Sequence, residues 1–561
     1  MLIDARQVDD GTVVSADLVV VGAGMAGLSL VDRIRSSGLS ICLIDGGGFS
    51  PELRSQQLFR GERVGDPYFR LDACRYREFG GSGNYWGGWC RPLDPIDFEQ
   101  RDWLPWSGWP IDRIELDPFY ADAADLLALP TSRFDIPTWP ARMPPPLDMP
   151  DSSFESAIVQ YSPQTDFGAA YRDRIVDAKQ VRTLLHGNVT ELLLDSDGQR
   201  VEAVQVRTLT GRSFRVQGRA VVLATGGIEN ARLLLASRAR HGAGVGNQHD
   251  LVGRFFMEHL MAPVGHFRAQ PSEISRDFFR KTTYDGRLVR GVLLPTADAQ
   301  AQHRRLACSI AIERASYVYG TPLVGWPPAL RAATDQAYLQ LRQRGYQHAA
   351  RTLKVVRNRV WNAGPMAETW RSARAAGRRD APASGTSRGQ LMSLYFRSEQ
   401  APNPLSRVSL GNHRDALGVP QPRLDWRRQD CDTGSILAWL DELDADMRRN
   451  SLGHVIAAPE DWEDKIIGGP HHMGTTRMSA DPKTGVVDAD CRVHSVENLY
   501  IAGSSVFTTG GWANPTFTLL ALALRLADEL QRSLTGGHEQ PSTRSEMVDR
   551  SRELTYAGVT A

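Results

Sequence analysis

The sequence predicts an α/β fold built on a Rossmann-like dinucleotide-binding unit, and three stretches carry that prediction. Leu18-Val-Val-Val-Gly-Ala-Gly-Met-Ala-Gly27 is an apolar run that breaks into closely spaced glycines. Ile41-Cys-Leu-Ile-Asp45 is a second apolar run, ending in an acid. Arg219-Ala-Val-Val-Leu-Ala-Thr-Gly-Gly-Ile-Glu-Asn230 lies far downstream and ends its apolar run in Thr-Gly-Gly.

Each stretch has a physical role. Continuous apolar residues from Leu18 to Val21 suit a parallel strand buried on both faces. Gly22 makes the tight turn, Gly24 lets a pyrophosphate approach the backbone, and Gly27 lets helix and strand pack closely. An amphipathic run to Arg35, stopped by Gly38, predicts the helix. Asp45 falls where an acid accepts ribose hydroxyls. Between the second and third stretches, Val181 to Leu194 and Glu202 to Thr208 alternate like antiparallel strands around the turn Asp195 to Gln199. Val189 sits where such folds set backbone against adenine.

Composition bounds the function. A chain of 561 residues is too long for one ordinary core, so two domains, or one with an insert, are expected. Its 65 basic and 65 acidic side chains give no basic excess, which argues against a nucleic-acid partner. The most apolar stretch, Phe517 to Leu526, includes Arg525 and falls short of the ~20 apolar residues a span needs, so no membrane span is expected. The acidic start does not resemble an export signal, and a cytoplasmic location is expected. Six scattered cysteines without Cys-x-x-Cys spacing imply reduced thiols, no disulfide framework and no metal site. The Arg-rich segment 329–380 reads as a solvated helical face, with a lid or a docking surface for an electron-transfer partner as the alternatives, and residues 536–561 as a polar tail.

Further motifs run through the rest of the chain. They are Gly80-Gly-Ser-Gly-Asn-Tyr-Trp-Gly87, Glu399-Gln-Ala-Pro-Asn-Pro, Gly468-Gly-Pro-His-His-Met-Gly-Thr-Thr-Arg-Met478, Asn498-Leu-Tyr-Ile-Ala-Gly-Ser-Ser505 and Gly511-Trp-Ala-Asn-Pro-Thr-Phe-Thr518. With the first glycines, this set resembles the glucose-methanol-choline (GMC) oxidoreductases, particularly the branch of pyranose oxidases and of sugar and aminoglycoside-intermediate dehydrogenases. The resemblance implies a discontinuous FAD-binding domain with an inserted α+β substrate domain of antiparallel sheet. Residues 1–255 and 408–535 would form the FAD domain, and 256–407 the insert.

The same resemblance implies the site. His471 would be the base that takes the hydroxyl proton while hydride leaves for the flavin, and its neighbour His472 would point elsewhere. A neutral imidazole suits that task. Asn514 would orient the alcohol, and Asn514-Pro515 also reads as an N-cap opening a helix from Thr516 to Leu530. Gly22, Gly24, Gly27, Asp45, Gly81, Asn84, Val189, Ser504, Asn514 and Thr516 would hold FAD. Tyr85 replaces a family histidine that bonds to the flavin, so FAD is expected to be non-covalent. Tyr395, Glu399 and Trp512 are candidate substrate contacts. The expected reaction is oxidation of an alcohol on a polyhydroxylated, carbohydrate-like small molecule, with oxygen or another electron acceptor. The alternatives are an oxidase of free pyranoses or glycosides, or an FAD-retaining lyase.

Overall fold

A computed structural model describes residues 1–139, 143–269, 278–284, 286–314, 390–456 and 462–536. The Arg-rich segment and all of the polar tail except Gly536 lie outside the described residues. Among the described residues, all six cysteines are free, no acid, histidine and cysteine cluster is arranged to hold a metal, and no helix is long and apolar enough to cross a membrane.

The predicted dinucleotide unit forms the middle of an eight-stranded sheet. Val13–Val21 lies between Ile41–Ile44 and Ser213–Leu223, parallel to both, with Val20 opposite Leu43 on one side and Val222 on the other. The inner residues of these strands are buried, as continuous apolar runs require. Ser213–Leu223 is shared by two neighbourhoods. Its first half pairs antiparallel with Val201–Arg207, and its last three residues pair parallel with Leu499–Ile501. That second pairing draws the C-terminal segment beneath the glycine turn.

One strand assignment changes. Asn188–Leu194 and Val201–Arg207 form the expected hairpin, but Val181–Leu185 is parallel, pairing with Ile41–Ile44 and Leu2–Asp4. The break at His186-Gly187, where His186 has φ of 61°, separates the two strands. Local alternation does not reveal strand direction, which only the pairing partner fixes.

A second sheet of nine strands is antiparallel. Its path runs through Gly453–Ile456, Leu260–Ala269, Gln390–Ser398, Cys308–Arg314, Arg287–Pro295, Phe154–Tyr161 and Trp89–Cys90. It therefore is not confined to 256–407: strands from the first 161 residues close one side, and Gly453–Ile456 and Ile467–Gly468 flank Leu260–Ala269 on the other. Sheet edges are completed by whatever strand is near in space, which chain order does not show. Helix Met25–Ile34 packs on helix Thr516–Thr535, which packs in turn on Arg113–Leu126. The sheets share one continuous apolar core.

Candidate active site

A cleft of about 680 Å³ lies at the ends of the strands Val13–Val21, Ile41–Ile44 and Ser213–Leu223, and its walls come from segments spread from Val21 to Leu519. Its first end is the glycine turn. Gly22 has φ of 106°, and a Cβ there would sit 2.6 Å from the carbonyl oxygen of Ala224. At Gly27 a Cβ would meet the Gly22 oxygen at 2.0 Å, so this position serves helix packing and is not on the cleft wall. Gly24, Gly226 and Gly503 differ. A Cβ at Gly24 or Gly503 would find its nearest neighbour only at 4.0 Å, and at Gly226 none within 4 Å, so these backbones face open space in the cleft. Such a bare wall at the N-terminus of Met25–Ile34 suits an extended anionic ligand approached by backbone N–H groups.

Asp45 lines the same end, and its two oxygens accept from the backbone N–H groups of Ala23 and Gly47, each at 2.8 Å. It thus braces the glycine turn as well as facing the cleft. Burial pushes its pKa up, while those N–H groups pull it down. Val189, opposite Val206 in the hairpin, lies on the wall, as do Gly81 and Tyr85; Tyr85 stacks on Tyr76 with ring centroids 3.8 Å apart. Asn84 does not. Its amide nitrogen donates to Glu78 Oε1 and Phe79 O, and its oxygen accepts from Gly168 N at 2.7 Å. These bonds hold the turn in shape, so Asn84 acts beneath the wall.

Another part of the cleft wall carries polar side chains. Strand Ile467–Gly468 pairs with Leu260 and Met261 and delivers the chain into Gly469-Pro-His471. The buried Glu258 carboxylate accepts the backbone N–H groups of Gly469 at 3.0 Å and His471 at 2.8 Å, and also the Tyr68 hydroxyl. Burial pushes Glu258 up to about 7. His471 reaches the cleft wall, and its Nδ1 is 2.9 Å from Nδ1 of His259. Burial first, then the nearby His259, Arg397 and His472, hold its pKa well below the ordinary value, so the ring is neutral. His472 also borders the cleft, but its ring packs against Tyr68 and Phe256, with Cys74 Sγ at 3.9 Å, and burial lowers it to about 3.

Ser504 and Thr516 also line the cleft, and the Ser504 hydroxyl donates to the His472 carbonyl at 2.8 Å. Asn514 is also on the wall, with its Oδ1 buried and, among the described residues, without a hydrogen-bond partner. The expected side-chain cap is not formed. The first turn of the helix is closed from the backbone by Leu519 N to Pro515 O at 2.8 Å, and the helix runs past Leu530 to Thr535, where Gly536 in the left-handed region stops it.

The three expected substrate contacts are not on the cleft wall. Glu399 is fully buried in a bidentate pair with Arg101, at 2.7 and 2.9 Å, and accepts the Ala307 N–H. Trp512 is buried, donating its indole N–H to Asp94 Oδ2 at 2.8 Å, edge-on to Trp89. Tyr395 is buried in its strand between Pro263 and Ala311. In the sequence these side chains share the look of pocket residues, but their partners are distant in the chain. Glu258 and His259 were missed. The available signal was a polar pair set inside the apolar run Phe255-Phe-Met-Glu-His-Leu-Met-Ala262, which demands buried partners.

Residues 402–523 match the GMC oxidoreductase family, C-terminal region. This segment of the chain belongs to the GMC oxidoreductases. It carries the His471 loop, the Gly503 turn and the start of the final helix, all of which line the cleft. Over its length the chain is 23% identical to the fructose dehydrogenase large subunit of Gluconobacter japonicus, covering 93% of this chain and 99% of that one. It is 34% identical to paromamine 6'-oxidase of Streptomyces fradiae over 24% of this chain and 25% of the relative. A formate oxidase of Aspergillus oryzae, studied for modification of its FAD, superposes with a TM-score of 0.51 at 15% identity, covering 94% of this chain and 99% of the other. That likeness shows the GMC fold. The cofactor of the GMC oxidoreductases is FAD, and they act on CH–OH groups.

The cleft fits that cofactor. Gly24, Gly226 and Gly503 leave bare backbone on the wall where a dinucleotide would lie, and Asp45, Val189 and Asn514, whose Oδ1 has no hydrogen-bond partner among the described residues, line the same cleft.

Proposed function

We propose that the chain oxidises an alcohol on a carbohydrate-like substrate, a sugar, glycoside or amino-sugar, to a carbonyl, with His471 as the base. Bound FAD supplies the hydride acceptor. The observation that carries this reading is the meeting, in one cleft with the glycine cradle, of a neutral imidazole and a buried amide oxygen with no partner among the described residues. An unpaired buried acceptor costs about 1–3 kcal/mol, and a substrate hydroxyl or an N–H placed in the cleft relieves that cost. His471 takes the hydroxyl proton as the carbinol carbon loses hydride, the Asn514 amide N–H donates to that oxygen so that the C–H bond is presented in one direction, and Asn514 Oδ1 accepts from a neighbouring substrate hydroxyl or N–H. The substrate class rests on the similarity to fructose dehydrogenase and paromamine 6'-oxidase.

The test is anaerobic mixing of the holoenzyme with a panel of sugars, glycosides and amino-sugars, following loss of the oxidised flavin band and appearance of a carbonyl product. His471→Ala is expected to retain FAD and to lose reduction by about 10²–10⁴-fold, the usual contribution of a general base. Bleaching by none of the panel, or unchanged reduction in His471→Ala, overturns the assignment.

A further inference from the structure

Glu258 and His259, adjacent in sequence, hold the two halves of His471. The carboxylate binds the backbone N–H of His471, and the imidazole meets its side chain. The His259 ring has no exposure to solvent and packs edge-on to the His471 ring, with centroids 5.0 Å apart and planes at 78°.

The hydrogen-bond partners of His259 decide where the protons are. Its Nε2 lies 2.9 Å from the carbonyl oxygen of Gly511 and 3.3 Å from that of Gly510. Carbonyl oxygens only accept, so this nitrogen carries the hydrogen. Those carbonyls are firmly placed: Gly511 has φ of 52°, and a Cβ there would be 2.5 Å from Asp97 Oδ2. A neutral imidazole has one N–H and one lone pair, so Nδ1 of His259 is the acceptor. Its partner at 2.9 Å, Nδ1 of His471, must then be the donor. His471 is left with its lone pair on Nε2.

We propose that His259 is a positioning residue that fixes the tautomer of His471, by accepting its Nδ1–H, so that Nε2 is the basic atom. The relay runs from the Gly510 and Gly511 carbonyls through His259 to His471, and it ties the loop of the base to the loop that ends in Asn514. The condition of neutrality is met, since burial draws His259 down to about 4. The charged and titratable groups acting on the pair are Arg397 and Glu399 near His259, Arg397 and His472 near His471, and the Glu258 carboxylate on the backbone. The inference rests on His471 being the base, but it concerns where that ring carries its proton.

Two arms test it. In holoenzyme labelled with ¹⁵N-histidine, long-range proton–nitrogen correlation reads each ring's tautomer, with the His471 signals assigned by their loss in His471→Ala. The expected result is a protonated Nδ1 and a lone-pair Nε2 in His471. A proton on Nε2 overturns the proposal, and this arm needs no substrate. The second arm compares flavin reduction in His259→Asn, which keeps an acceptor where Nδ1 was, with His259→Gln, whose amide reaches the Nε2 position and leaves no acceptor near His471. His259→Asn is expected to stay within about tenfold of wild type, and His259→Gln to fall by a further ~10–100-fold in the rate of reduction with little change in apparent substrate affinity. Equal rates in the two variants, with FAD bound in both, overturn the relay. If the wild type is reduced by no alcohol, the proposed function fails while the tautomer measurement still stands or falls alone.

Discussion

Glu399 separates a substrate ligand from a structural ion pair, and the two roles predict different losses. In Glu399→Ala the Arg101 guanidinium keeps its burial, with its side chain 1% exposed, and loses both carboxylate bonds, at 2.7 and 2.9 Å. Removing one member of a buried pair costs about 3–5 kcal/mol, because the remaining charge has neither partner nor water. The Ala307 N–H also loses its acceptor, adding about 1 kcal/mol. Asp97 works the other way. Its pKa is held well above the usual carboxylate range by burial and then by the Glu399 charge, so losing Glu399 favours its ionisation near Arg101. The expected net loss is about 4 kcal/mol, read from equilibrium urea unfolding of the holoenzyme by tryptophan fluorescence. Replacing both partners, as Arg101→Met with Glu399→Leu, is expected to cost less than the single change, since no orphaned charge remains. A Glu399→Ala enzyme within about 1 kcal/mol of wild type, with KM raised tenfold or more, would refute this account and return Glu399 to the substrate pocket.

Two other outcomes follow from the site. Gly27→Ala is expected to lose FAD, because its Cβ would overlap the Gly22 oxygen; Gly22→Ala shares the fault through Ala224, and the check is the flavin-to-protein absorbance ratio after purification. Glu258→Gln tests pH linkage. The folded pKa of Glu258, about 7, lies above its ordinary 4.5, so its stabilising contribution is full below pH 4.5 and is lost as pH rises through 7. Over that interval the wild type is expected to lose roughly 3 kcal/mol relative to Glu258→Gln, at up to ~1.4 kcal/mol per pH unit. His259 and His472, lowered to about 4 and about 3, oppose this by favouring the fold above pH 6.5 and not below it. The difference between the two proteins, measured by urea unfolding at several pH values, isolates Glu258; parallel stability curves would show that its pKa is not raised.

The parts of the molecule legible in the sequence are those set by local rules. Leu18 to Asp45 had to be strand, turn, helix and strand, because an unbroken apolar run, a left-handed Gly22 and an amphipathic decade leave little else. His471 and Asn514 were visible through motif resemblance, and the structure sets both on one cleft wall. What residue type alone left open was company. Trp512 and Glu399 have the chemistry of pocket residues, yet Asp94 and Arg101, some 418 and 298 positions away, hold them in the core. Val181–Leu185 alternates like its neighbour, yet pairs parallel. Asn84 has a motif position but spends its amide on Glu78, Phe79 and Gly168.

By itself, then, the sequence determined the dinucleotide turn and the order of its strands along the chain, because periodicity and glycine freedom are written in adjacent residues, and only motif resemblance pointed to His471 and Asn514. Only the tertiary structure decided which polar groups face the cleft and which are consumed in the core, and it alone brought His259 against His471. A hydrogen bond depends on distance and direction in space, and partners 212 residues apart share no local pattern that records them.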